Sequence, residues 1–187
     1  LKAGCKEIWI TSQDTGAYMI EQGGSSRLVE LLEQVLSVPM DFKLRLGMMN
    51  PGNTITILEK LIEIYKNPKM YKFLHIPVQS GNNEILKLMN RRYDAGTFVK
   101  IVNAFRKEIP EISISTDIIA GFPGETEGQF NDTMNLLKNI KPDVLNLSMY
   151  KEREGTIAAK MKQMPERFRK ERSRIMTDEF RKIQLEN

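Results

Sequence analysis

Residues 112–126 read Ile-Ser-Ile-Ser-Thr-Asp-Ile-Ile-Ala-Gly-Phe-Pro-Gly-Glu-Thr, an apolar run followed by a tight turn. Short apolar runs bounded by turn residues are typical of strands that are buried on both faces of a parallel sheet. Thr126 and Gln129 have the spacing of a capping box, and apolar residues recur at helical spacing from Phe130 to Ile140. This segment therefore predicts a strand, a turn and a crossover helix.

The same succession of an apolar run and a helical pattern recurs along the chain. Five strands are predicted, at Glu7–Gln13, Lys43–Met48, Lys72–Val78, Ile112–Gly121 and Val144–Tyr150. Each interval between strands has room for one crossover helix and two loops. The alternation predicts an α/β fold, an incomplete β/α barrel with parallel strands. Because the first strand begins so near Leu1, we expect that the first β/α unit of the barrel is missing from this chain.

Composition excludes several classes of protein. Apolar residues make up 41% of the chain and charged residues 28%, which excludes disordered and coiled-coil chains. No apolar run approaches the roughly 18 residues that a membrane span needs, so this chain indicates no membrane span. Cys5 is the single cysteine and His75 the single histidine. A metal site built from histidines and cysteines of this chain is therefore excluded.

The excess positive charge lies at the C-terminal end. Residues 1–159 contain equal numbers of basic and acidic side chains, so the formal net charge of +4 comes from residues 160–187. The helical pattern that follows Pro165 predicts a basic linker helix at 164–187, after a barrel core at 1–163. Such a helix favours contact with a polyanion. A solvated helix face without a partner is the alternative.

Polar residues stand where the predicted strands end. Gln13 follows the first strand, Gln79 and Ser80 follow the third, and Asp117 lies within the fourth. Because ligands bind at the carboxyl ends of parallel strands, these side chains predict a polar ligand pocket. Each has a structural alternative: the loop residues can shape turns or cap helices, and Asp117 can form an ion pair with Arg45.

Four strings resemble, in the same order, the motifs of the radical S-adenosylmethionine methylthiotransferases. They are Thr11–Tyr18, Leu74–Gly81, Ser115–Thr126 and Gly155–Met161. The resemblance covers essentially the whole chain. It is closest to the archaeal and eukaryotic branch, whose members convert N6-threonylcarbamoyladenosine next to the anticodon of tRNA to its 2-methylthio form. The fold it implies is a partial TIM-like barrel of the radical SAM type, open and without its first β/α unit.

The resemblance also implies cofactors and partners. Such enzymes use S-adenosylmethionine and two [4Fe–4S] clusters, and they need an electron donor and a sulfur donor besides tRNA. The cluster ligands in this family are six cysteines, three in a Cys-x-x-x-Cys-x-x-Cys motif after the first barrel strand and three in an N-terminal domain, and none of them is present here. We therefore expect this chain alone to be inactive, and we expect a cytoplasmic protein.

Site residues follow from the motifs and from the strand ends. We expect Gln13, Gln79, Ser80 and Asp117 to hydrogen-bond the ribose or the amino acid part of S-adenosylmethionine. Gly121 and Phe122 would allow the backbone and a ring to approach the adenine. In the basic helix, four arginines are expected to contact tRNA phosphates: Arg167, Arg169, Arg172 and Arg174.

Three other functions remain open at this point. One is the core of a ribosomal-protein methylthiotransferase or of another radical SAM enzyme. A second is a non-catalytic RNA-binding or assembly module, which the absence of cluster cysteines would suit. A third is a conventional β/α enzyme that uses Asp117 and Arg45 without a cluster.

Overall fold

The computed structural model describes residues 1–186 as an α/β protein with parallel strands. The strands are β1 (Glu7–Ile10), β2 (Lys43–Leu46), β3 (Phe73–His75), β4 (Ser113–Ala120) and β5 (Val144–Met149). The helices are α1 (Ile20–Gly23), α2 (Leu28–Leu36), α3 (Pro51–Thr54), α4 (Leu58–Lys66), α5 (Asn83–Leu88), α6 (Ala95–Glu108), α7 (Glu127–Ile140), α8 (Ile157–Lys160) and α9 (Glu166–Glu186). The chain divides into two compact units, residues 1–77 with 100–114, and residues 78–99 with the chain from Ser115 onward.

The first unit is built on β1, β2 and β3. β1 and β2 pair in parallel, with Trp9 opposite Arg45, and Leu44 of β2 forms a parallel bridge with Met70. The first two residues of β4, Ser113 and Ile114, also belong to this unit, where the Ser113 amide donates to the Lys72 carbonyl at 2.9 Å. A parallel sheet needs helices on its faces, and the apolar stripes of α2 and α4 supply them.

The core of the first unit centres on an aromatic pair. Tyr65 of α4 and Phe105 of α6 are fully buried, with ring centroids 5.1 Å apart at 81°. The Tyr65 hydroxyl donates to the carbonyl of Phe73 at 3.3 Å, which joins α4 to β3. Burial raises the pKa of Tyr65, so this hydroxyl remains a donor.

The second unit is built on the rest of β4, which pairs in parallel with β5. Thr126 caps α7 as its spacing predicted: its hydroxyl accepts from the Gln129 amide at 3.3 Å, and the Gln129 side chain accepts from the Thr126 amide at 2.9 Å. Helix α9 packs against β5 and α7. It is therefore part of the second unit; its role as a linker at 164–187 to a further domain stays a prediction.

All five predicted strands are present, with shorter ends. Within residues 1–186 they form open parallel sheets of two and three strands and no closed barrel, as expected for a partial barrel. Burial on both faces holds for β4 but was wrong for β1 and β5: Trp9 is 59% exposed and Val144 is 40% exposed. Both strands lie at the edge of a sheet in the described part of the chain, where neighbours cover less of their surface.

No helix in residues 1–186 combines the length and the apolar character that a bilayer span requires.

The aromatic pair of the first unit generates a stability prediction. Phe105→Ala should lower the free energy of unfolding by about 3–5 kcal/mol, because it leaves a cavity beside Tyr65. Phe168→Ala, at a side chain that is 42% exposed, should cost less than about 1 kcal/mol. Urea denaturation of both variants measures the difference. Equal losses would contradict the assignment of Phe105 to the core.

Candidate functional site

In the first unit, polar residues after β1 hold two loops together. One carboxylate oxygen of Asp14 accepts from the backbone amides of Gly16 at 3.0 Å and Asn50 at 2.9 Å. The other accepts from the Asn53 side chain at 2.8 Å. Asp14 therefore ties the loop after β1 to the loop after β2, and Gln13 beside it is exposed. A cofactor contact of Gln13 stays a prediction.

Arg45 lies between aromatic rings of its own unit. Its guanidinium carbon is 4.6 Å from the centre of the Trp9 ring and 4.4 Å from that of Phe73. Cation–π contacts of this kind stabilise a cation in an apolar strand without an acidic partner. These contacts explain how the charge of Arg45 is accommodated in the strand, and an ion pair with Asp117 is not needed for it.

The second unit contains an open cavity of about 780 Å³ at the carboxyl ends of β4 and β5. Parallel α/β proteins bind ligands at this place. Polar and aromatic side chains from four segments line it, among them Gln79, Arg91, Asp117, Phe122, Asn146 and Tyr150. The cavity therefore brings together Gln79, Asp117 and Phe122 of the predicted site, with three residues that were not predicted.

Asp117 and Asn146 face each other across the two strands. They are direct partners in the β4–β5 register, and the Asn146 amide donates to the Asp117 carboxylate at 2.7 Å. Tyr93 is nearby: burial raises its pKa to about 12, the negative charge of Asp117 adds to this, and Arg91 opposes it. Its hydroxyl therefore stays protonated and donates to the Val78 carbonyl at 3.2 Å. The hydrogen bond from the Asn146 amide orients the Asp117 carboxylate at the cavity.

Gln79 reaches the cavity through an unusual backbone conformation. Its φ is +70°, a left-handed value that costs energy for a residue other than glycine. Its amide donates to the Asp117 carbonyl at 2.8 Å, and its own carbonyl accepts from the Ile119 amide at 3.0 Å. These two bonds hold Gln79 beside β4 and compensate for the strain. Strain of this kind concentrates at functional sites.

Ser80 and Gly121 differ from the roles expected for them. Ser80 is fully buried, and its hydroxyl lies 3.2 Å from that of Thr133, so it fixes the loop to α7 and is not among the residues that line the cavity. Gly121 has φ +74°, and a β-carbon there would lie 2.5 Å from the Arg169 side chain. The glycine is therefore needed for close packing with α9, and its approach to a ligand stays a prediction.

An aromatic wall closes one side of the cavity. The rings of Phe122 and Tyr150 are 5.3 Å apart at 76° and both line the cavity. Edge-to-face pairs of this kind offer an apolar surface to a planar ligand.

Two polar atoms at the cavity lack a partner within the described residues. They are the Tyr150 hydroxyl and Nε of Arg91, both buried. Buried polar groups are nearly always hydrogen-bonded, so the absence of a partner for these two atoms lowers the stability of the unit. Sequence reasoning noted Tyr150 as a strand end without giving it a role, and it missed Arg91, whose position after α5 carries no strand-end signal.

The iron–sulfur clusters implied by the resemblance do not fit the residues present. In the described residues no group of three His, Cys, Asp or Glu side chains could hold a metal ion, and Cys5 is exposed. Clusters of this type need several thiolates.

The four arginines of α9 do not share one environment. Arg172 is buried and pairs with Glu125 at 2.6 Å. Arg169 donates to the Tyr150 carbonyl at 2.6 Å. Arg167 and Arg174 are exposed. The expectation that all four contact RNA is therefore corrected for Arg172, whose guanidinium is engaged by carboxylates inside the unit.

Comparison with known proteins shows the family of this chain. The family model of the radical SAM superfamily matches residues 1–137. The probable threonylcarbamoyladenosine tRNA methylthiotransferase of Pyrococcus horikoshii is 49% identical over 94% of this chain and 41% of its own length. That of Archaeoglobus fulgidus is 47% identical over the whole chain and 44% of its length. The human threonylcarbamoyladenosine tRNA methylthiotransferase is 41% identical over 95% of the chain and 30% of its length. The chain thus spans less than half the length of these relatives.

Solved structures share the fold. Coproporphyrinogen III oxidase (HemN) from Escherichia coli superposes with a TM-score of 0.62 at 22% identity, over 81% of this chain and 37% of its own. The radical S-adenosylmethionine methyltransferase TsrM from Kitasatospora setae gives 0.59 at 13% identity, over 79% of this chain and 28% of its own.

The unpaired hydroxyl of Tyr150 generates a second prediction. Tyr150→Phe should leave the free energy of unfolding unchanged or slightly raised, because no bond within residues 1–186 is lost. Tyr93→Phe is the matched control and should cost about 1 kcal/mol, since it removes the bond to Val78. Urea denaturation compares the two. A loss at Tyr150 as large as that at Tyr93 would mean that its hydroxyl is already satisfied in the ligand-free protein.

Proposed function

This chain belongs to the radical SAM superfamily, and from that premise we propose that it is the core of an enzyme that methylthiolates N6-threonylcarbamoyladenosine in tRNA, at C2 of the base next to the anticodon. The observation that carries the proposal is the agreement of relatives with this name. Archaeal and animal proteins so named are 39–49% identical to this chain over at least 94% of it. A tRNA substrate favours a cytoplasmic protein.

The cavity of the second unit suits S-adenosylmethionine, and its residues match three parts of that molecule. The Phe122–Tyr150 wall offers an apolar surface to the adenine. The Asp117 carboxylate can accept from ribose hydroxyls, with Gln79 next to it. The guanidinium of Arg91, which lines the cavity, can bind the carboxylate of the methionine part.

Bound S-adenosylmethionine would supply the methyl group, and it would supply hydrogen abstraction only after accepting one electron from a cluster whose ligands this chain lacks. The residues of this chain bind and orient S-adenosylmethionine. Phe122 and Tyr150 exclude water from one side of the cavity, while Asp117 holds a fixed orientation through Asn146. The residues of this chain do not bind the iron–sulfur clusters, because Cys5 is the single cysteine. The chain alone is therefore inactive, and the complete protein also depends on an electron donor and a sulfur donor.

The cavity assignment generates a binding prediction. Asp117→Ala and Arg91→Met should each weaken S-adenosylmethionine binding to the complete protein by about tenfold or more, because each removes a bond that involves a charged group. Asp41→Ala is the control, since Asp41 is an exposed residue of the first unit. Isothermal titration calorimetry measures the dissociation constants. Unchanged binding in both cavity variants would remove them from the site.

The substrate is tested in cells. Deleting the gene should abolish the 2-methylthio form of threonylcarbamoyladenosine in tRNA digests, measured by mass spectrometry, and the complete gene should restore it. Intact tRNA modification together with a lost modification on a ribosomal protein would favour the ribosomal-protein branch of the family. No change in either would favour a non-catalytic RNA-binding module.

The exposed arginines of α9 suit contact with tRNA. Replacing Arg167 and Arg174 by Gln should weaken tRNA binding and reduce the slope of log K against log salt by about 1–2, because two phosphate contacts are lost. Lys66→Gln is the control, since its charge is already paired with Glu63 and Glu108. Filter binding at several salt concentrations gives the slopes. An unchanged slope would show that α9 does not touch the RNA.

A further inference from the structure

We propose that Arg172 is a positioning residue for the cavity: with Glu125 it fastens α9 to the loop after β4 and so holds the Phe122–Tyr150 wall in place. The inference rests on the proposed function, in which this cavity binds S-adenosylmethionine. Arg172 does not line the cavity and acts only through residues that do.

The contacts of Arg172 are directed into the unit. Its side chain is 10% exposed and that of Glu125 only 2%. One guanidinium nitrogen lies 2.6 Å from the Glu125 carboxylate and 3.1 Å from the Glu125 carbonyl, and the other lies 3.2 Å from the Glu127 carboxylate. The guanidinium also lies 5.0 Å from the centre of the Phe130 ring. Only the planar fork of an arginine can satisfy all these contacts at once.

Glu125 connects Arg172 to Phe122, the first ring of the wall. The carboxylate oxygen that binds Arg172 also accepts from the amide of Gly121 at 3.3 Å. Gly121 immediately precedes Phe122. The Glu125 carboxylate therefore joins the turn that carries the Phe122 ring to Arg172 of α9.

Arg169, one turn earlier on α9, restrains the second ring. Its guanidinium donates to the carbonyl of Tyr150 at 2.6 Å, and its side chain fills the space over Gly121. Tyr150 is therefore anchored to α9 directly through its carbonyl, and Phe122 is anchored to the same helix indirectly, through Gly121 and Glu125. A displacement of α9 would move Phe122 and Tyr150 relative to each other.

The energy of the pair favours a geometric role over a stabilising one. Burial raises the pKa of the Glu125 carboxyl, and the hydrogen bond from Arg172 offsets only part of that cost. Buried ion pairs are often no more stable than apolar side chains of the same size. The pair instead fixes the geometry of the site, because its hydrogen bonds allow one arrangement of the loop after β4 and α9.

The test measures cofactor binding in the complete protein. Arg172→Met should raise the dissociation constant of S-adenosylmethionine about tenfold or more, whereas Arg181→Met, at an exposed position of the same helix, should leave it within about twofold. Thermal denaturation identifies the variants that remain folded. Arg172→Lys keeps the charge and the fold but loses the fork, and it should still weaken binding.

A double-mutant cycle separates positioning from general damage. If Arg172 acts through the wall, Arg172→Met should add little to the loss already caused by Phe122→Leu, so the two effects on the dissociation constant are not additive. Arg172→Lys replaces Arg172→Met in the cycle if the latter does not fold. Additive effects, or unchanged binding in a folded Arg172 variant, would overturn the inference.

The outcome also distinguishes the two proposals. If the unmodified protein binds S-adenosylmethionine and Asp117→Ala weakens that binding while the Arg172 variants do not, the inference fails and the proposed function stands. If the unmodified protein does not bind S-adenosylmethionine, the proposed function fails and the inference fails with it.

Discussion

The parallel pairing of β4 with β5 is the interaction on which the candidate site depends. It runs from Ser115 opposite Val144 to Ala120 opposite Met149, and it brings the carboxyl ends of both strands to the same edge. A shift of one residue would turn each side chain to the opposite face and separate Asp117 from Asn146. Gln79 adds two backbone bonds on the other side of β4. Backbone hydrogen bonds therefore form the cavity, and they also position the side chains that line it.

Helix α9 connects the charge of the C-terminal region with this cavity. Its composition indicates a solvated basic helix, yet Arg169 and Arg172 point into the unit, where they bind the loop after β4 and the end of β5. Arg167 and Arg174 remain outside. One helix thus combines an inner face that shapes a cavity with an outer face that suits a polyanion.

Much of the fold could be predicted because its signals are local. Five apolar runs mark the strands, and Thr126 with Gln129 marks the start of α7. The resemblance of the motifs led to the superfamily that the comparisons support. The burial of β1 and β5 could not be predicted, since it depends on how many strands lie beside them. The same applies to Ser80, whose partner Thr133 is 53 residues away.

By itself, the sequence determined the order of strands and helices, the tight turn after the fourth strand, the absence of a thiolate set and the class of enzyme that its motifs resemble. Only the tertiary structure decided which polar side chains meet a cavity and which meet each other. Arg172 and Arg174 are two residues apart in one helix, yet one is buried against Glu125 and the other is exposed. The reason is geometric: residues two apart lie on nearly opposite sides of a helix, and the packing of α9 on the second unit determines which side is buried.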